Sequence, residues 1–124
     1  MIRVMIVDDA LFMRRLYHNM LEKDDISIVA EAANGYEAIA LYQETRPDVV
    51  LMDITMPGMP GIEALEEIMR IDPEARVIMS SAMGQEAFVR ESVKKGAKGF
   101  LVKPMVEATL LRMVRSVAQS RSGA

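Results

Sequence analysis

Short apolar runs and amphipathic stretches alternate along the whole chain. Ile2 to Val7 is apolar and rich in β-branched residues apart from Arg3, and it stops at Asp8-Asp9, which predicts a strand leaving a core. From Ala10 to Glu22, Phe12, Leu16 and Met20 recur at helical spacing with Met13 and Leu21 beside them, while Arg14, Arg15, Asn19 and Glu22 fall elsewhere. That pattern predicts an amphipathic helix. The alternation then repeats, with strands expected at Ser27 to Ala32, Val49 to Met52, Arg76 to Ser80 and Gly99 to Val102. Helices are expected over Gly35 to Thr45, Gly61 to Ile71, Gln85 to Lys95 and Glu107 to Gln119. Breakers separate them: Asn34-Gly35, Arg46-Pro47, Asp72-Pro73, Gly84, Gly96 and Lys103-Pro104. Nothing between them is long enough for an interdomain linker, so residues 1–119 are expected to form a single domain with a frayed tail over 120–124.

Strict β-α alternation implies right-handed crossovers and a parallel sheet with helices on both faces. Strands buried on both faces should be continuous apolar runs, and "VVLM", "VIM" and "FLV" are such runs. Composition narrows the class without changing this picture. At 124 residues, 51% hydrophobic and 27% charged, the chain has the balance of one globular domain. Cysteine is absent, which excludes disulfides and thiolate metal clusters. The apolar runs fall far short of the roughly twenty residues a bilayer span needs, and the N-terminus does not resemble a secretory signal. A cytoplasmic protein without membrane insertion is therefore expected. Net charge is −3, and the basic residues Lys94, Lys95, Lys98, Arg112 and Arg115 read as solvated helix faces, so no direct nucleic-acid contact is expected.

Every polar candidate for chemistry falls at a strand's carboxyl end, where open α/β sheets bind ligands. Asp8 and Asp9 follow the first strand, Asp53 the third, Ser80 and Ser81 the fourth, and Lys103 the fifth. Taken singly, these are ordinary residues: Asp9 would cap a helix, serines would make a turn, a lysine would be solvated. Taken together, three converging carboxylates repel unless a cation joins them, and hard oxygen donors suit magnesium. A lysine and a hydroxyl at the same edge suit a dianionic phosphoryl group. The joint placement describes a phosphoryl-handling site. The lone histidine, His18, lies mid-helix away from that edge and reads as structural or surface.

The segments "IVDDA" (Ile6 to Ala10), "LMDITMPGMPG" (Leu51 to Gly61), "IMSSAMG" (Ile78 to Gly84) and "GFLVKP" (Gly99 to Pro104), in this order and spacing, resemble the receiver domain of response regulators. The likeness runs from Ile2 to about Gln119 and is strongest to the stand-alone chemotaxis branch. It implies a doubly wound, flavodoxin-like (βα)5 fold with a five-stranded parallel sheet of order 2-1-3-4-5. It implies that Asp53 accepts a phosphoryl group from a phosphohistidine on a histidine kinase, in a phosphorylation and dephosphorylation that the domain itself catalyses. It implies that Asp9, Asp53 and the Thr55 carbonyl bind Mg2+, with Asp8 acting mainly through a bound water. Lys103 pairs with the phosphoryl oxygens in that scheme, and the Ser81 hydroxyl and Ala82 N–H donate to them. The Lys103-Pro104 bond is expected to be cis. Ser81 and Phe100 form the switch, Phe100 standing where chemotaxis members commonly carry tyrosine.

The implied output is a monomeric chemotaxis signal acting by protein contact, at the flagellar motor switch or another protein target. Two alternatives stay open. One is a receiver cut from a longer regulator with a DNA-binding or methylesterase output domain. The other is a magnesium-dependent phosphatase, disfavoured because such enzymes place the nucleophile after the first strand with an acid two residues on. Neither Thr55 nor Met83 offers a carboxylate or amide to orient an attacking water, so a fairly long-lived phosphoryl group is expected.

Overall fold

The apolar runs lie side by side in one sheet. The structure, a computed structural model, describes residues 1–119; the frayed tail expected over 120–124 lies outside the described residues. The strands are β1 (Ile2–Val7), β2 (Ile26–Ala32), β3 (Val49–Asp53), β4 (Val77–Ser81) and β5 (Gly99–Val102). They alternate with helices α1 (Leu11–Leu21), α2 (Gly35–Thr45), α3 (Gly61–Ile71), α4 (Glu86–Lys94) and α5 (Glu107–Gln119). All neighbouring strands pair in parallel, in the order β2-β1-β3-β4-β5. This is the flavodoxin-like doubly wound (βα)5 architecture the resemblance implied.

Successive side chains of a strand point to opposite faces, so a sheet covered on both sides needs apolar residues at every position. Every residue of β3 and β4 is buried. On one face Met5, Val7, Val50, Met52, Val77 and Met79 pack with Tyr42 of α2 and with Leu65 and Ile68 of α3. On the other, Val4, Ile6, Val49, Leu51 and Ile78 pack with Tyr17 and Leu21 of α1 and with Leu110 and Val114 of α5. Each such large side chain contributes about 1.5–3 kcal/mol by leaving water. Among the described residues no helix is long and apolar enough to cross a membrane.

Two expectations need correction. The run "FLV" is not buried on both faces: Leu101 is buried, but Phe100 and Val102 are exposed. β5 is the sheet's edge, and its face toward α4 stays open as a groove. In α1 the residues buried are Tyr17 and Leu21, whereas Phe12 is 74% exposed. Two apolar stripes run side by side on this helix; the one through Met13, Tyr17 and Leu21 is the more deeply buried, and Met20 of the other packs against the same core.

The turn after β3 leaves no choice at position 61. A Cβ there would collide with the Asp53 carbonyl and the backbone of Ile54, because the start of α3 folds directly against the strand end. The Gly61 N–H donates to the Ile54 carbonyl at 2.7 Å, closing this loop. Gly58 within it has φ +80°, open to glycine without strain. The strand end that carries Asp53 is thus clamped by backbone contacts.

Candidate functional site

The carboxyl edge of the sheet brings five of the expected residues into one cluster. Carboxylate oxygens of Asp8, Asp9 and Asp53 lie within 4.8 Å of one another. Lys103 Nζ reaches Asp53 Oδ2 at 3.1 Å and Asp8 Oδ2 at 3.4 Å. Ser81 ends the neighbouring strand and is buried, its hydroxyl donating to the Leu101 carbonyl at 3.4 Å. Topology explains the meeting: β1 and β4 flank β3, and β5 flanks β4, so all four strand ends open on one rim.

The two adjacent acids are held differently. Asp8 is buried, its Oδ1 accepting the Ala10 N–H at 2.9 Å, and its backbone carbonyl accepts from Arg14 at 2.6 Å. Asp9 is exposed and does not cap α1: Ala10 takes that place without a side-chain cap. Asp53 is buried as well, and its Oδ1 accepts the Thr55 N–H at 3.3 Å. Lys103 is carried by a cis peptide bond to Pro104, and its own N–H donates to the Ser81 carbonyl at 2.8 Å.

Electrostatics follow from this geometry. Burial pushes the Asp53 carboxyl above its ordinary range; Lys103 pulls it down, and the neighbouring Asp8 charge adds to the rise. Burial also disfavours the Lys103 ammonium, but Asp53 and Asp8 outweigh it and hold its pKa above the ordinary value. One lysine against three carboxylates leaves excess negative charge in a partly buried place. Hard oxygen donors so arranged fit a small divalent cation.

Phe100, expected to be part of the switch, is 45% exposed and lines an apolar groove of about 570 Å3 with Ser81, Val89, Val93 and Val102. The groove lies between α4 and β5, beside the site. His18 is remote from it, as expected, and binds Glu22 at 2.8 Å and Glu31 at 3.0 Å. Lys95 pairs with Glu66 and Arg115 with Asp25, so these members of the basic clusters are engaged on the chain's own surface.

Two contributors escaped the sequence reading. Tyr17, from the core face of α1, brings its hydroxyl to 3.5 Å from Ser80 Oγ beneath the site. Gln85 spans two loops: its Oε1 accepts the Ala82 N–H at 2.6 Å and its Nε2 donates to Thr55 Oγ1 at 2.7 Å. The Tyr17–Ser80 and Gln85–Thr55 pairings join distant parts of the chain, 63 and 30 positions apart, and only the Gln85–Ala82 bond is local.

Comparison with known proteins agrees with this geometry. The family model "Response regulator receiver domain" matches residues 4–115. The chain is 50% identical over 119 residues to the chemotaxis protein CheY of Listeria monocytogenes, covering 96% of this chain and 100% of that protein. It is similar to CheY in the CheX-CheY-BeF3-Mg2+ complex from Borrelia burgdorferi, with a TM-score of 0.90, 41% identity and coverage of 96% and 90% of the two chains. The response regulator domain of Thermotoga maritima CheB also superposes, with a TM-score of 0.90, 37% identity and coverage of 96% and 97%. The chain belongs to the response-regulator receiver family.

Proposed function

We propose that this protein is a phosphorylation-activated response regulator of a two-component system, with residues 1–119 as a single receiver domain and Asp53 as its phosphoacceptor. The observation that carries this reading is the Lys103 ammonium 3.1 Å from Asp53 within a cluster of three carboxylates at the sheet edge. A carboxylate oxygen of Asp53 attacks phosphorus, the bond to the donor imidazole breaks, and the imidazole nitrogen keeps the electron pair. No proton has to leave Asp53, because it reacts as the carboxylate. The chain's task is to position that oxygen and to balance charge on the transferred group. Lys103 does so directly, and the Ser81 hydroxyl and Ala82 N–H supply hydrogen bonds once the loop after β4 adjusts.

Asp9, Asp53 and the Thr55 carbonyl would hold Mg2+, with Asp8 acting through a bound water. Bound there, the ion would offset the charge of the phosphoryl oxygens. Phosphorylation adds about −1.5 to −2 charges at the rim. Ser81 turning from the Leu101 carbonyl toward that charge vacates space beside the groove, and Phe100, now at its edge, moves in. The face formed by α4, β5 and α5 then changes shape and presents the signal.

The likeness to CheY proteins over nearly the whole chain supports a monomeric cytoplasmic chemotaxis protein, served by a chemotaxis-type histidine kinase and acting on a flagellar motor switch component. Likeness to the CheB receiver supports a second reading, a receiver joined to an output domain. Capture from the source cell with immobilised protein, with and without beryllofluoride plus Mg2+, separates the two. Capture of a motor switch protein that requires beryllofluoride and is lost in Asp53→Asn is the expected result. Equal capture without beryllofluoride, or by the Asp53→Asn variant, contradicts it.

A further inference from the structure

We propose that Gln85 is a placeholder for the phosphoryl group, its side-chain amide occupying in the unmodified protein the backbone donor that the modified Asp53 recruits. The inference rests on the reading above, in which the Ala82 N–H faces the phosphoryl oxygens. In the structure that N–H is already taken, donating to Gln85 Oε1 at 2.6 Å. A backbone N–H only donates, so the amide oxygen must be the atom facing it. The amide nitrogen then points the other way, where Thr55 Oγ1 receives it at 2.7 Å.

Local backbone makes this fold-back possible. Gly84 has φ +88°, and a Cβ there would meet nothing within 4 Å, so the glycine serves the turn rather than a close approach. Gln85 occupies the N-cap position of α4, yet its side chain makes no capping bond to its own helix. It reaches back over the loop instead. Met83 at the tip is 82% exposed, so the packing of its side chain contributes little to holding the loop. The two amide bonds of Gln85 therefore tie the end of β4 to the end of β3 across the site.

A phosphoryl oxygen and the Gln85 amide cannot both hold the single Ala82 hydrogen in a short, well-aligned bond such as the 2.6 Å contact seen here. Modification of Asp53 has to displace the amide, and displacement also releases Thr55. Gln85 thus sets a threshold for phosphoryl binding and links it to freedom of the loop after β4. It is a positioning residue, since it acts through Ala82 and Thr55 rather than on phosphorus.

The test is beryllofluoride affinity of the full chain at saturating Mg2+, compared among the parent, Gln85→Ala, Gln85→Glu and Thr55→Val. Gln85→Ala is expected to bind beryllofluoride roughly two- to tenfold more tightly, the worth of one net hydrogen bond no longer displaced. Gln85→Glu should bind more weakly than the parent, because a carboxylate holds the N–H by a charge-assisted bond and repels the anion. Thr55→Val, which removes only the second tie, should shift affinity in the same direction as Gln85→Ala by a smaller factor. Hydrogen exchange at the Ala82 amide should quicken in Gln85→Ala without beryllofluoride and match the parent with it. Equal or weaker binding by Gln85→Ala, or unchanged exchange at Ala82, overturns the proposal. If the parent itself fails to bind beryllofluoride, or Asp53→Asn binds it equally, the underlying assignment of the site is what fails.

Discussion

Asp53 carries its charge where burial disfavours it. Its carboxyl lies above the ordinary range in the folded chain, burial being the largest cause and Lys103 only partly opposing it. A carboxyl whose folded pKa is raised favours the folded state at low pH and loses that contribution as pH rises through the folded value. Without metal, Asp53→Asn is therefore expected to be more stable than the parent near neutral pH, and the gain should shrink below about pH 4, where both states of the parent hold the proton. Urea unfolding of both proteins at the two pH values checks this; a destabilised variant near neutrality contradicts it. Gly61 is constrained in another way: Gly61→Ala drives a methyl into the Asp53 carbonyl and should cost about 2 kcal/mol or more, read from the urea midpoint. At this scale the chain was legible wherever a polar residue directly ends an apolar run, as Asp8, Asp53 and Lys103 do. Gln85 does not directly end an apolar run, and although Ala82 is three residues away, its other partner Thr55 lies 30 positions off, so the tie between the two loops was not legible.

Among the elements, the fully buried central strands were the easiest to read and the β5 edge the hardest. "VVLM" and "VIM" are apolar at every position because helices cover both sides of β3 and β4. The same apolar density in β5 misled, since this edge strand keeps Phe100 and Val102 in the open beside an apolar groove. In α1 two stripes compete, and only tertiary packing buries the one containing Tyr17 and Leu21 more deeply. The join between α2 and α3 shows how a polar pair fastens two helices: Tyr42 donates to Asp72 Oδ2 at 2.7 Å at the C-terminal end of α3. Burial works to raise the Asp72 carboxyl, but the bonds from Tyr42 and the Glu74 N–H, with Arg46 nearby, hold it below the ordinary range. Its contribution is therefore complete above the unfolded carboxylate value and lost as pH falls through the folded one. Tyr42→Phe is expected to lower stability by about 1 kcal/mol near neutral pH and by less in acid, measured by urea unfolding at both.

Across the whole molecule, one sheet with two cores fixes four strand ends on a common rim, and that rim gathers the acids, the hydroxyl and the lysine. Strict β-α alternation made this rim foreseeable before any contact was known. The order of strands was not foreseeable from alternation alone; it came with the family resemblance, and the sheet bears it out. The proposed role of the rim is to place a phosphoryl group on Asp53. Incubation with the small phosphodonor acetyl phosphate and Mg2+, followed by mass spectrometry of the intact chain and its borohydride-trapped peptides, is the decisive experiment. One phosphoryl group on Asp53, dependent on Mg2+ and lost in Asp53→Asn, is expected; modification at another residue, or retained in that variant, rules out this role for the rim.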